Sequence, residues 1–141
     1  MQTFLPYADF EKTARCLDYR RLGKQRVEAY QLLLIMNDPS KKGWRNHPAF
    51  KMWDGYDLAL WEYGMVISSE WKRRGYKDTM IEKLTNLYHS LTYNNVSYPS
   101  WLGSERFHSS HRSALLFKQY DWYKQFEWSE EPKLDYIWNL L

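Results

Sequence analysis

The chain has 141 residues, is 44% hydrophobic, holds one cysteine and carries a net charge of +3. That length suits one domain over residues 1–141 with a core of its own, and the lone Cys16 excludes an internal disulfide. No apolar run reaches the length of a membrane span and no signal peptide opens the sequence, so a cytoplasmic monomer is expected.

MQTFLPY is short and apolar, and Pro6 keeps it extended. Asp9 can cap a first helix over about 9–18, within which Cys16 packs. A second helix is predicted from about Leu22 to Met36. Val27, Tyr30 and Leu34 recur on one side of it; Arg21, Lys24, Glu28 and Gln31 line another. NDPSKKG is a turn-rich linker. Asn46 or His47 before Pro48 reads as an N-cap with proline at the first helical position. From there Phe50, Trp53, Tyr56, Leu60, Tyr63, Ile67 and Trp71 keep a 3–4 spacing, predicting helix to Arg74 with Gly55 as the place for a kink. Thr79 with Glu82 forms a capping box ahead of the stripe Met80, Leu84, Leu87, Leu91. YNNVSYPSWLG is loop, Ser104 can start a last long helix through Lys118, and DWYKQFEW is an aromatic tail. With no repeat and no strand signal, the expectation is an all-α domain of four to five helices.

The charge is unevenly spread. Residues 15–26 carry +4, residues 41–51 carry another +4, and the remainder sums to −5. Two basic islands on a mildly acidic body fit a polyanion; two solvated loops are the alternative. In DYRRLGKQRVEAY, Arg20, Arg21, Lys24 and Arg26 crowd a helix start that is already positive through the macrodipole. Cations with free backbone N–H groups there make a phosphate site, and Gly23 would let a ligand approach closely. The competing reading is a salt-bridged helix start, with Lys24 and Glu28 paired in the weaker order.

In GWRNHPAF, Trp44 offers a stacking plane beside Arg45, with His47 as a donor and Lys51 following; a core position for Trp44 is the alternative. In ERFHSSHR, His108 and His111 share a helix face. Without a third ligand they are weak evidence for zinc, so anion contact together with Arg112 competes with a buried histidine pair. No phosphate loop, nucleophile elbow, zinc-ligand spacing or carboxylate pair stands out, and no metal or organic cofactor is expected. What remains is an amine and a lone acid in a basic setting. An amine can attack a sugar C1′, expel the base and form a Schiff base from which β-elimination cuts the strand. An α-amine, with a pKa of about 8, is far more often neutral at pH 7 than a lysine, so the chain terminus is the natural nucleophile.

The segments DYRRLGKQRV, HPAFKMWDGYDLALWEYGMVISSEWKRRGYKDT and DWYKQFEW, in that order, resemble the pyrimidine-dimer DNA glycosylase family, the endonuclease V type of phages. MQTFLPY and FHSSHRSALL resemble its bacterial branch. The likeness covers most of the chain. It implies an all-α fold, double-stranded DNA as partner, a flipped nucleotide, and catalysis by an N-terminal amine with a glutamate at the start of the second helix. Two positions depart from the pattern. Gln2 is bulky, so methionine should stay and the amine would belong to Met1. The glutamate position falls on Arg21 or Gly23; Glu28, one turn on, is the substitute, and Asp18 the runner-up.

The expectation is a DNA glycosylase with AP-lyase activity on damaged or modified pyrimidines, with Met1 and Glu28 catalytic. Arg15, Arg20, Arg21, Lys24, Arg26, Arg45, His47, Lys51, His108, His111 and Arg112 would contact the nucleic acid. Trp44 or Trp101 would stack in the gap left by the flipped base. A catalytically inactive nucleic-acid binder is the second reading, and an enzyme for a small phosphorylated nucleoside the third.

Overall fold

A computed structural model of the protein describes residues 2–91 and 97–138. The described residues form seven α-helices and one 3-10 turn, with no strand. The order is α1 (Phe10–Cys16), α2 (Tyr19–Met36), α3 (Pro48–Trp53), α4 (Asp57–Arg73), α5 (Met80–Tyr88), α6 (Glu105–Lys118) and α7 (Tyr120–Tyr123), then the turn over Lys124–Phe126. The class is the one predicted; the count exceeds the four or five expected. The long third helix is broken where Gly55 takes φ +86°, giving α3 and α4. The aromatic tail also coils once more after Gln119.

Capping explains most boundaries. Asp9 accepts from the Lys12 N–H at 2.9 Å and starts α1 as predicted. Leu17 is extended, which ends α1 early and frees Asp18 to cap α2. Helix α2 therefore begins three residues before Leu22. The Thr79–Glu82 capping box does not form. Asp78 Oδ2 accepts from the Ile81 N–H at 2.8 Å instead, while Asp78 Oδ1 takes Arg26 at 2.5 Å.

Helices α2 and α4 form the centre. The buried face of α2 runs Leu22, Gln25, Ala29, Leu32, whereas Val27 is 36% exposed and Tyr30 and Leu34 lie at its margins. The crossing is close because both sides are small. A Cβ on Gly64 would lie 3.2 Å from that of Ala29 and 3.1 Å from Leu84 Cδ1. Trp53, Tyr63, Phe107 and Tyr123 are fully enclosed around this axis. Cys16 is buried, and burial pushes its thiol pKa up to about 12, so it packs rather than reacts. The tail returns along α6, with the Lys133 N–H donating to Ser113 O at 3.2 Å and the Ile137 N–H to Ser110 Oγ at 3.2 Å. Among the described residues no helix is long and apolar enough to cross a membrane.

Candidate active site

Residues 2–6 form a strap outside any helix and with no strand to pair with, so its backbone groups must find side chains. Helix α2 supplies Gln25. Its Nε2 donates to Gln2 O at 2.7 Å, and its Oε1 accepts from the Phe4 N–H at 3.0 Å. Helix α4 supplies Tyr63, whose hydroxyl lies 2.8 Å from both Phe4 O and Gln25 Oε1. Helix α6 supplies the histidines. The Leu5 N–H donates to His111 Nδ1 at 2.9 Å, and His108 Nδ1 lies 2.7 Å from Leu5 O. Since His108 Nε2 accepts from the Gly103 N–H, its Nδ1 carries the proton given to Leu5. Arg112 Nη1 then donates to Pro6 O at 2.7 Å, and Trp53 Nε1 to Thr3 Oγ1 at 2.9 Å.

The strap delivers the backbone nitrogen of Gln2 to Glu28, whose Oε2 accepts its N–H at 3.2 Å. The same oxygen accepts from Gln25 Nε2 at 3.3 Å, and Lys24 Nζ stands 3.7 Å from the other oxygen. Glu28 is only 6% exposed, yet it opens into a cleft of about 590 Å³. Gln2, Arg20, Arg21, Lys24, Glu28 and Lys118 line that cleft, and Tyr136 walls it. One buried carboxylate thus faces four cations beside the start of the chain. Met1, the other expected catalytic residue, lies outside the described residues; the nitrogen to which it is bonded sits at Glu28.

Asp18 answers the charge question raised by DYRRLGKQRV. It caps α2, pairs with Arg21 at 3.2 Å, and accepts from the Tyr123 hydroxyl. So placed, it offsets the macrodipole and is closed to chemistry, which removes it as runner-up acid. Arg20 and Lys24 keep their charged ends in water, Lys24 with its side chain 74% exposed. Gly23 does not admit a ligand. A Cβ there would meet the Trp71 ring at 2.9 Å, so the glycine makes room for an indole.

The other expected contacts divide. Trp44 is 51% exposed with φ +68°, an orientation costing a non-glycine residue about 1–3 kcal/mol, so it is no core residue. It sits edge-on to His47 at 5.2 Å; His47 caps α3 and touches Trp138 at 5.9 Å, and Trp138 touches Tyr136 at 5.5 Å. This aromatic row joins the second basic island to the cleft. Burial lowers the pKa of His47. Lys51 is exposed, and Arg15 is exposed but paired with Glu11 at 3.3 Å.

Several expected contacts are instead structural. Arg45 clamps its loop through Ile35 O and Lys41 O at 2.5 Å and Asp38 O at 2.8 Å. Arg26 is held by Asp78 and lies over Trp71. Trp101 is buried with Nε1 donating to Met52 O at 2.9 Å, which removes it as a stacking candidate. His108, His111 and Arg112 are buried as well, Arg112 between Glu130 and Glu105. Burial lowers His111 to a pKa of about 3, so the pair is neutral and anchors the strap rather than an anion. Gln25, Tyr63 and Lys118 carry no signal of their own, except that Gln25 is a polar residue on the apolar face of α2. Among the described residues there is no group of three or more His, Cys, Asp or Glu placed to hold a metal.

The family model described as pyrimidine dimer DNA glycosylase matches residues 1–84. That span holds the strap, Gln25, Glu28 and both basic islands, and ends inside α5. No curated protein and no solved structure matches.

Proposed function

Since the chain belongs to the pyrimidine dimer DNA glycosylase family, we propose that it excises a damaged or modified pyrimidine through a Schiff base formed by its N-terminal amine. The observation that carries this reading is the Gln2 nitrogen at 3.2 Å from the buried Glu28 carboxylate in a cationic cleft. An amine on Met1 would lie within one residue of Glu28. About a tenth of such amines are neutral at pH 7 and free to attack C1′. As the N–C1′ bond forms, the glycosidic bond breaks and the base leaves with the electron pair and takes up a proton. Glu28 stabilises the positive charge developing on the sugar and then relays protons. The sugar ring then opens, the C1′–O4′ bond breaking with O4′ taking up a proton, to give the imine, and removal of a C2′ proton expels the 3′ phosphate by β-elimination.

Arg20, Arg21, Lys24 and Lys118 stand where they can hold phosphates on either side of the flipped nucleotide. Trp44, exposed and strained, is the side chain suited to fill the gap left in the stack.

Borohydride trapping on an abasic-site duplex, read by intact mass, tests the chemistry. The expected result is a one-to-one covalent adduct that disappears when the N-terminus is blocked. No adduct under any condition, with duplex binding intact, would leave a nucleic-acid binder without the reaction. The interface has its own test. Arg21→Ala with Lys24→Ala should weaken duplex binding alike for all sequences and flatten the salt dependence by roughly one to two units of slope. An unchanged slope removes this helix start from the interface, and a wild-type slope near zero points instead to a ligand with a single phosphate.

A further inference from the structure

The geometry points to a second nucleic-acid subsite: we propose that Tyr19, Tyr76 and Trp71 form a stacking platform for an unpaired DNA base beside the cleft. The inference rests on DNA being the ligand, and extends the interface to a surface that the amine chemistry does not use. Tyr76 stacks on Trp71 at 4.2 Å with rings 23° from parallel, and Tyr19 continues the stack at 6.3 Å and 24°. The inner end is fixed. The Arg26 guanidinium lies over the Trp71 ring at 4.6 Å, the indole N–H donates to Lys77 O at 2.9 Å, and Gly23 admits the ring against α2. The outer end is open, with Tyr76 41% and Tyr19 50% exposed.

About half of each tyrosine stays in water, an aromatic face whose hydration is costly. A base laid on it recovers that cost, whatever its sequence. The platform also continues the cleft. Arg20 lines the cleft, while its Nε donates to the Tyr19 hydroxyl at 3.2 Å and its guanidinium stands 5.8 Å from that ring. A strand whose phosphate is held by Arg20 therefore presents its next base to Tyr19 and Tyr76. Asp78 is occupied by Arg26 and Asp18, the neighbour of Tyr19, by Arg21, so neither is a free acid against the strand.

The test uses the full chain and a single-stranded oligothymidylate at fixed salt. Base–aromatic stacking is worth about five- to 150-fold in affinity per base. Tyr76→Ala and Tyr19→Ala should each lower single-strand affinity at least about fivefold. Tyr76→Phe should keep it, and the salt slope of Tyr76→Ala should not move, because the phosphates are gripped elsewhere. Adduct formation by Tyr76→Ala on an abasic duplex should also stay at the wild-type level, which separates this platform from the amine chemistry. Photo-crosslinking of wild-type protein to a 5-iododeoxyuridine strand should label the peptides holding Tyr19 or Tyr76. Unchanged affinity in both alanine variants, a crosslink mapping elsewhere only, or wild-type protein that binds abasic duplex but not single strands would each overturn the platform. Failure of the wild type to bind any DNA would overturn the parent reading as well.

Discussion

Glu28→Gln is expected to leave duplex binding near the wild-type value and to slow borohydride-trapped adduct formation on abasic DNA by two to four orders of magnitude. The size follows from what proton transfer by a placed side chain contributes, about 10²- to 10⁴-fold. The substitution is nearly isosteric. A glutamine oxygen can still accept the Gln2 N–H now held at 3.2 Å, so the strap keeps its end contact. What disappears is the negative charge and the exchangeable proton. The one ion pair lost, with Lys24 at 3.7 Å, is mostly exposed on the lysine side and weak. Thermal stability should therefore hardly move, and a loss of adduct cannot be assigned to unfolding. A Glu28→Gln protein that traps abasic DNA at the wild-type rate would show that this carboxylate is a structural end-stop for the strap.

The second large effect belongs to Gln25. Gln25→Leu matches the apolar surroundings in shape but strips the strap of its central clamp. The Gln2 carbonyl and the Phe4 N–H are left without their partner, and the Tyr63 hydroxyl keeps only Phe4 O. Each buried group so orphaned costs about 1–3 kcal/mol, giving a loss on the order of 3 kcal/mol and a melting temperature lower by roughly 10 °C. The informative measurement is made well below that temperature, where the variant is folded. Trapping there should still be slowed by at least about tenfold, because small misplacements of a reacting group are costly. Full trapping by a folded Gln25→Leu protein would mean that the amine finds Glu28 without the strap.

The helical class is legible because apolar residues recur at 3–4 spacing through Phe50, Leu60 and Ile67 and again through Met80, Leu84 and Leu91; the buried residues fall on those positions. The break at Gly55 leaves that rhythm intact, so spacing alone reads α3 and α4 as one rod. Capping is harder to read where two capping residues stand side by side, and Asp78 rather than Thr79 takes α5. In the candidate site, the basic helix start stands out in the sequence by its charge at a helix end, and Glu28 by sharing a face with Lys24 and Arg21; the fold places both at one cleft. The role of His108, His111 and Arg112 is not. A histidine pair beside an arginine reads as an anion site in one dimension. Only the fold shows that the backbone of Leu5 and Pro6, more than a hundred positions away, is what they hold. Trp44 is the opposite case. Its type suggests the core, yet it stands half in water on a left-handed backbone, and neither property is visible in the sequence.

The long reach of those three α6 side chains sets the order in which the molecule can be finished. A ribosome makes the strap first and its anchors last, since Leu5 binds His111 across 106 positions. Closing so large a loop is a late step in folding, and until then the strap has only its earlier partners, Gln25, Trp53 and Tyr63. Once α6 docks, Leu5 and Pro6 gain the partners that complete the site, so the cleft is finished only when the last long helix is in place.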